Sequence, residues 1–385
     1  MENSMGFDEG RSPCEEEAGR CRIKVALYLP LGKKRSPWRG IGGAEHRLCS
    51  IFSGMDEEAY DVKIVIRGYN PEEEMRGYLE KYVSHWSMVE YVSSHYALMR
   101  YLVKEHFDVV CYDDCMMLTK DGILAACLAR SKRLLMLVTV PYANWSFKKR
   151  WHALPMLLNV LPSNWLDTLY PNTKAILERR FPKKPVSVTP CSLPMMSGYL
   201  ARSEKQNMIL FSGRLVPEKN PILFAEAVIR IRYSLRECGY RALICGVGEQ
   251  SEAIERMIEE TQCSDVLQLG GYKRMEEVTP RAKVFCSLQT KENYPSQSLL
   301  EAIASGCYCI ATNVGSTDAI VKPRFGHLIG LDSQELSEAL LACIRFQASQ
   351  WEDIEASARE FASENFSLEK ASFHYQSIID KLVMS

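Results

Sequence analysis

The sequence predicts an α/β protein made of two doubly wound domains, and three observations carry that prediction. At 385 residues the chain exceeds one ordinary core. Short apolar runs of the buried parallel-strand kind alternate with helical stretches along most of it. The alternation pauses between two such runs, around the prolines at 182, 185, 190 and 194, and then begins again. The composition, 46% apolar and 25% charged, is that of a soluble globular chain. A net charge of −1 offers no global field for nucleic acid or an anionic membrane. The 14 cysteines are scattered, mostly in apolar runs, without paired zinc knuckles, and point to a reducing cytoplasm. No apolar stretch reaches the ~20 residues of a membrane span. Residues 1–20, polar and acidic, read as a disordered tail rather than a signal peptide.

Order begins at the apolar run Cys21–Pro30, a buried strand, followed by a loop with Gly42 and Gly43 and a helix from Ala44. Strands are expected at 62–66, 107–112 and 134–140, and helices at 72–82, 87–104 and 121–130. The pattern breaks over 141–165. There Asn144–His152 is basic and aromatic and Leu154–Leu161 is apolar. A helix touching a membrane surface and a helix packed inside the domain both fit, and two prolines weaken the amphipathic reading. A helix at 172–181 and a short strand at 185–190 close the first domain, 21–185. The second, 186–365, alternates strands at 207–212, 241–245, 265–269, 283–288 and 308–311 with helices at 220–236, 250–260, 274–281, 296–304 and 333–346. A last helix, 368–384, is placed to cross back to the first domain. Two such domains face each other across a cleft at the carboxyl ends of their sheets.

Chemistry concentrates in the second domain. Phe211-Ser-Gly-Arg-Leu-Val-Pro-Glu-Lys-Asn220 leaves a strand through Gly213 and offers Arg214 and Lys219 before a helix. A fork of donors and a point charge at a sheet edge suit a diphosphate, although single loop basics usually just face solvent. Lys291-Glu-Asn-Tyr-Pro-Ser-Gln-Ser-Leu-Leu-Glu301 opens a helix near Pro295 and Ser296, with Glu292 before it and Glu301 inside it. The free N–H groups of a helix end attract anions, and a carboxylate can grip vicinal hydroxyls. Phosphate beside hydroxyls describes a nucleotide-sugar. The plainer alternative is a buried helix with an acidic residue near its start. Gly246, in Cys245-Gly-Val-Gly-Glu249, and Gly43 are glycine turns onto helices, weak signals alone.

Taken in order, Gly213–Lys219, Gly246-Val-Gly-Glu249, Glu292–Glu301 and Ala311-Thr-Asn-Val-Gly315 resemble the donor-binding half of the family-four retaining glycosyltransferases. The resemblance covers about 22–385 and is stronger in the second domain. It implies the GT-B fold and transfer of a sugar from a nucleoside-diphosphate-sugar to a glycan or lipid-linked acceptor, without a metal or other cofactor. It implies that Arg214 and Lys219 bind the diphosphate and that Glu301 holds the ribose. Glu292 and the stretch Asn293, Tyr294, Ser296, Gln297 and Ser298 would meet the sugar and phosphate. Gly43 would approach the phosphate from the first domain, and the segment around Tyr272 would lie along the nucleobase. Two departures stand out. Eight residues separate Glu292 from Glu301, where the family usually has seven, so strict spacing puts Asn293 first. The family's first-domain His has no counterpart after Val138-Thr-Val-Pro141, and His152 reads as a surface histidine.

Two other readings stay open: a nucleotide-sugar epimerase on the same fold, and a binding subunit that has lost transfer. Arg214, Lys219 and Glu301 together argue against a dead site. All three are expected to converge on one hollow between the domains.

Overall fold

The computed structural model describes residues 22–30, 43–67, 72–113, 120–137, 157–194, 196–200 and 204–385. The expected tail at 1–20, Gly42, His152 and the aromatic stretch 144–152 lie outside the described residues. The first sheet has seven parallel strands: β1 (Ile23–Pro30), β2 (Tyr60–Arg67), β3 (Val89–Val92), β4 (Val109–Asp113), β5 (Lys132–Leu137), β6 (Trp165–Thr168) and β7 (Val186–Val188). They lie in the order β3-β2-β1-β4-β5-β6-β7. The second sheet has six: β8 (Gln206–Ser212), β9 (Arg241–Cys245), β10 (Leu267–Leu269), β11 (Ala282–Ser287), β12 (Tyr308–Thr312) and β13 (Gly326–Ile329), in the order β10-β9-β8-β11-β12-β13. Each sheet reverses its winding beside its first strand. The crevices that such folds use for ligands therefore open after β1 and β4, and after β8 and β11.

Both faces of each sheet are covered, which is why the strands read as unbroken apolar runs. In β1, Val25, Leu27 and Leu29 enter one core and Ala26 and Tyr28 the other. Three strands escape the sequence reading. β3 falls inside the stretch expected to be one helix over 87–104. Ser94 starts the true helix, His95–Glu105, by accepting from the Ala97 N–H at 3.1 Å. β6 sits at the end of the interrupted stretch, and β13 is only four residues long. The segment left unassigned after 350 belongs to a helix, Ala348–Asn365.

The chain passes between domains twice, and the passages touch: the Leu193 N–H donates to the Phe366 carbonyl at 3.1 Å. The second leads into the helix Leu368–Met384. Its stripe Ala371, Tyr375, Ile378, Ile379 and Leu382 packs on Leu48, Ile51 and Phe52 of the first domain. Ser372 Oγ donates to the Ile51 carbonyl at 2.7 Å, and the Tyr60 hydroxyl to Asp380 at 2.7 Å. So the expected crossing helix is present.

At the root of both passages lies Asp167 of β6, wholly buried. Its Oδ1 accepts from Ser187 Oγ at 2.5 Å and pairs with His374 Nε2 at 2.8 Å. Its Oδ2 accepts from Thr189 Oγ1 and from the Tyr375 hydroxyl at 3.0 Å. Ser187 and Thr189 lie at the start of the outgoing passage, His374 and Tyr375 on the returning helix. Asp167→Ala would take the acceptor from four partners at once, of which Thr189 and Tyr375 are buried. It is expected to lower stability by about 2–4 kcal/mol, read as a lower urea midpoint from the fluorescence of Trp165, whose indole N–H donates to Ser187 at 2.9 Å. A wild-type midpoint would mean that the carboxylate does not hold the passages.

Candidate active site

The turn after β8 is interlaced with the turn after β9. The Gly213 N–H donates to the Cys245 carbonyl, the Leu215 N–H to Val247 and the Gln250 N–H to Leu215, each at 3.0 Å. Gly246, at φ +144°, lies so close that a Cβ there would run into the Gly213 carbonyl. Buried Leu215 anchors the loop, while Arg214 points outward and is exposed. Lys219 folds inward, and its Nζ donates to Gln289 Oε1 at 3.1 Å. Burial, and then the positive charge of Arg214, lower its pKa to about 8.

Gln289 follows β11, and its carbonyl accepts from Thr312 Oγ1 at 2.7 Å. It lines a small hollow with Asn293, Tyr294, Ser296 and Thr312. Ser296 occupies the position before the helix Gln297–Ala304, yet its side chain does not cap that helix. Its hydroxyl lies instead 3.4 Å from Ser298 Oγ. The Leu299 and Leu300 N–H groups both donate to the Ser296 carbonyl at 3.0 Å, and the amides of Gln297 and Ser298 carry the helix's positive end.

Gln297, the next residue, lines a second hollow, formed from both domains. Gly43, His46, Lys81 and Tyr82 come from the first, Glu276, Gln297 and Glu301 from the second, and Tyr199 from the short helix Met196–Leu200. Glu301 is 9% exposed and accepts from Gln297 Nε2 at 3.2 Å. Burial raises its pKa to about 7, and bonds from Gln297 and Tyr199 only partly offset this. His46 stacks on Tyr82 with ring centroids 4.0 Å apart. Its pKa is pushed down to about 4 by burial and then by Lys81, so it is neutral at pH 7. Lys81 Nζ reaches Glu276 Oε1 across the cleft at 3.5 Å. Gly43 approaches the helix end so closely that a Cβ would sit 3.2 Å from Gln297 Cβ.

Residues 198–360 match the model of the family described as Glycosyl transferases group 1. Over 171 residues the chain is 27% identical to the GalNAc-alpha-(1->4)-GalNAc-alpha-(1->3)-diNAcBac-PP-undecaprenol alpha-1,4-N-acetyl-D-galactosaminyltransferase of Campylobacter jejuni, covering 44% of this chain and 47% of that protein. Over 176 residues it is 24% identical to the GtfA subunit of the UDP-N-acetylglucosamine–peptide N-acetylglucosaminyltransferase of Streptococcus gordonii, covering 44% and 34%. The match thus spans less than half the length of these curated relatives. The crystal structure of HepE from Anabaena in complex with UDP and glucose superposes with a TM-score of 0.73 at 14% identity, over 94% of this chain and 100% of that one. The fold is GT-B.

Within the GT-B frame the expected site residues divide. Gly213, Lys219, Gly246, Asn293, Tyr294, Ser296, Gln297, Ser298 and Glu301 gather around the two βα turns and the helix end. Arg214 stands at the rim. Glu301 lines the two-domain hollow, and Lys219 reaches the smaller one through Gln289. Tyr272 is 72% exposed and lines neither hollow. Tyr294 accepts from Cys191 Sγ at 3.3 Å, which ties it to the passage between domains. Glu292 is bound to Ser316. Gln289, Tyr199, Glu276, His46 and Lys81 had no signal in the sequence, because each becomes part of the site only through folding.

Glu301 yields a prediction with a definite sign. Its folded pKa, about 7, stands above the ordinary value of 4.5, so folding favours the protonated form. The burial penalty is absent below the unfolded value, grows as pH rises, and is full above about 7. Glu301→Gln is therefore expected to leave stability unchanged at pH 4.5 and to raise it by ~1–3 kcal/mol at pH 8. Denaturant midpoints at the two pH values check this, and equal shifts at both would refute it.

Proposed function

We propose that the chain is a glycosyltransferase that moves a sugar from a nucleoside-diphosphate-sugar to a glycan or lipid-linked acceptor, with retention at the anomeric carbon. The observation that carries this reading is the start of the helix Gln297–Ala304, which the Ser296 side chain leaves uncapped, with the Lys219–Gln289 pair at the hollow that Ser296 lines and the Glu301 carboxylate in the hollow that Gln297 lines. In this reading the diphosphate lies on the helix end. The ribose hydroxyls reach Glu301 in the two-domain hollow, and the base extends along Gly271–Lys273. The sugar lies toward Asn293, Ser296 and Glu292. Support also comes from HepE, which shares the fold and was crystallised with UDP and glucose, and from two relatives named as sugar transferases.

Transfer is limited by negative charge building on the departing diphosphate. Lys219, Arg214 and the helix amides are placed to neutralise it in advance. The acceptor then attacks the face that the nucleotide leaves, and the departing phosphate takes its proton. That route needs no first-domain histidine. Closure of the domains keeps water from competing with the acceptor.

Lys219→Ala and Arg214→Ala are each expected to lower turnover at least tenfold, given ~2–4 kcal/mol per lost stabilising donor. A thermal-shift panel of UDP, ADP, GDP and their sugars should show stabilisation by one nucleotide family, since a ligand that binds only folded protein raises its midpoint. Incubating that nucleotide-sugar without acceptor tests the choice of reaction: an epimerised sugar would favour the epimerase, and binding without release or transfer a subunit that has lost activity. Because Lys219 must be an ammonium to hold the diphosphate, nucleotide affinity should fall as pH rises through about 8. An affinity flat from pH 7 to 9.5 would remove Lys219 from the site.

A further inference from the structure

Glu292 uses its two oxygens unequally. Oε1 accepts both from the Ser316 N–H and from the Ser316 hydroxyl, each at 3.1 Å. Among the described residues no donor reaches Oε2, and the side chain is only half-buried. The turn that supplies Ser316 is shaped around this carboxylate: Gly315 sits at φ +58°, and a Cβ there would overlap the Glu292 carboxyl group. One oxygen is thus clamped and the other left for a ligand.

The clamp extends into the other domain. Ser316 Oγ, in a side chain only 5% exposed, accepts from Asn172 Nδ2 at 2.9 Å. Asn172 is the second residue of the helix Pro171–Arg180, which follows β6 and packs Leu177 into the first domain's core. The direction of the bonds matters. An amide N–H can only donate, so it occupies an acceptor site on the hydroxyl and leaves the hydroxyl's single proton for Glu292. Bonds in series polarise one another, so the first strengthens the second.

We infer that Asn172 is a positioning residue: by donating to Ser316 it fixes the hydroxyl that holds Glu292, and so couples the approach of the first domain to the placement of the free Oε2. The inference rests on the reading above that Glu292 meets the transferred sugar. A carboxylate held fully only when the domains meet would also limit wasteful hydrolysis while they are apart.

The test uses UDP and UDP-N-acetylglucosamine with the wild-type protein, Asn172→Ala, Asn172→Gln, Glu292→Gln and the Asn172→Ala/Glu292→Gln double variant. UDP binding is measured by calorimetry and turnover by UDP release. All variants should bind UDP within about twofold of wild type. Asn172→Ala should lose about five- to thirtyfold in turnover, the worth of one hydrogen bond. Asn172→Gln, which keeps the amide donor, should recover part of it. The double variant should be no slower than Glu292→Gln alone, because both changes act on one group. Wild-type turnover in Asn172→Ala beside an impaired Glu292→Gln would overturn the coupling and leave the role of Glu292 intact. A double variant slowed by the product of the single effects would also overturn it. Wild-type turnover in Glu292→Gln would remove the assignment of Glu292 itself, and this inference with it.

Discussion

The geometry of the cleft depends on one buried carboxylate. Asp167 joins β6, the outgoing passage at Ser187 and Thr189, and the returning helix at His374 and Tyr375. A single carboxylate with four partners is worth more than four separate contacts, since bonds in one network strengthen one another. It also sits beside Arg47, a fully buried cation whose pKa burial lowers and whose charge the Asp167 field favours. Around this point the two sheets are hung so that the helix end after β11 meets the start of the helix Gly43–Ser53.

The groups at the cleft are held in states that folding alone would not select. Lys219 is kept where its charge is poorly solvated, next to a second cation. Glu301 is kept where its charge is hardly solvated at all. Near both is a helix end that the Ser296 side chain leaves uncapped. Each feature lowers the stability of the empty protein, and each is relieved by the same kind of guest, an anion that also carries hydroxyls. Strongly perturbed groups also occur in purely structural networks. What distinguishes these is that they surround one uncapped helix end, and that first-domain residues, Lys81 and Gly43, close on the same spot.

Much of this was legible in the residues. The β8 turn could be read because its glycine, cations and following helix are contiguous. The helix Gln297–Ala304 could be read because its anchors Leu299, Leu300 and Ile303 repeat at helical spacing. The returning helix announced itself by a stripe spanning three turns. The failures also have physical causes. Four-residue strands such as β3 and β13 hold too few alternations to stand out from a helical pattern. Gln289, Lys81 and Asn172 are ordinary polar residues in their own segments, and their partners lie 70, 195 and 144 positions away. Only the fold could show that Lys219 meets Gln289 and that Glu301 lines a hollow shared with His46, Lys81 and Tyr82.

The returning helix carries one more consequence. Ala371, Tyr375, Ile379 and Leu382 fill a core otherwise built from residues before 171. During synthesis, therefore, the domain that is translated first cannot be sealed until the final seventeen-residue helix has left the ribosome. The second domain, by contrast, has its last strand by Ile329 and its last core residue at Phe366, before that helix begins. The nascent first domain must wait with an apolar groove uncovered, and the later-made domain is the earlier one able to finish.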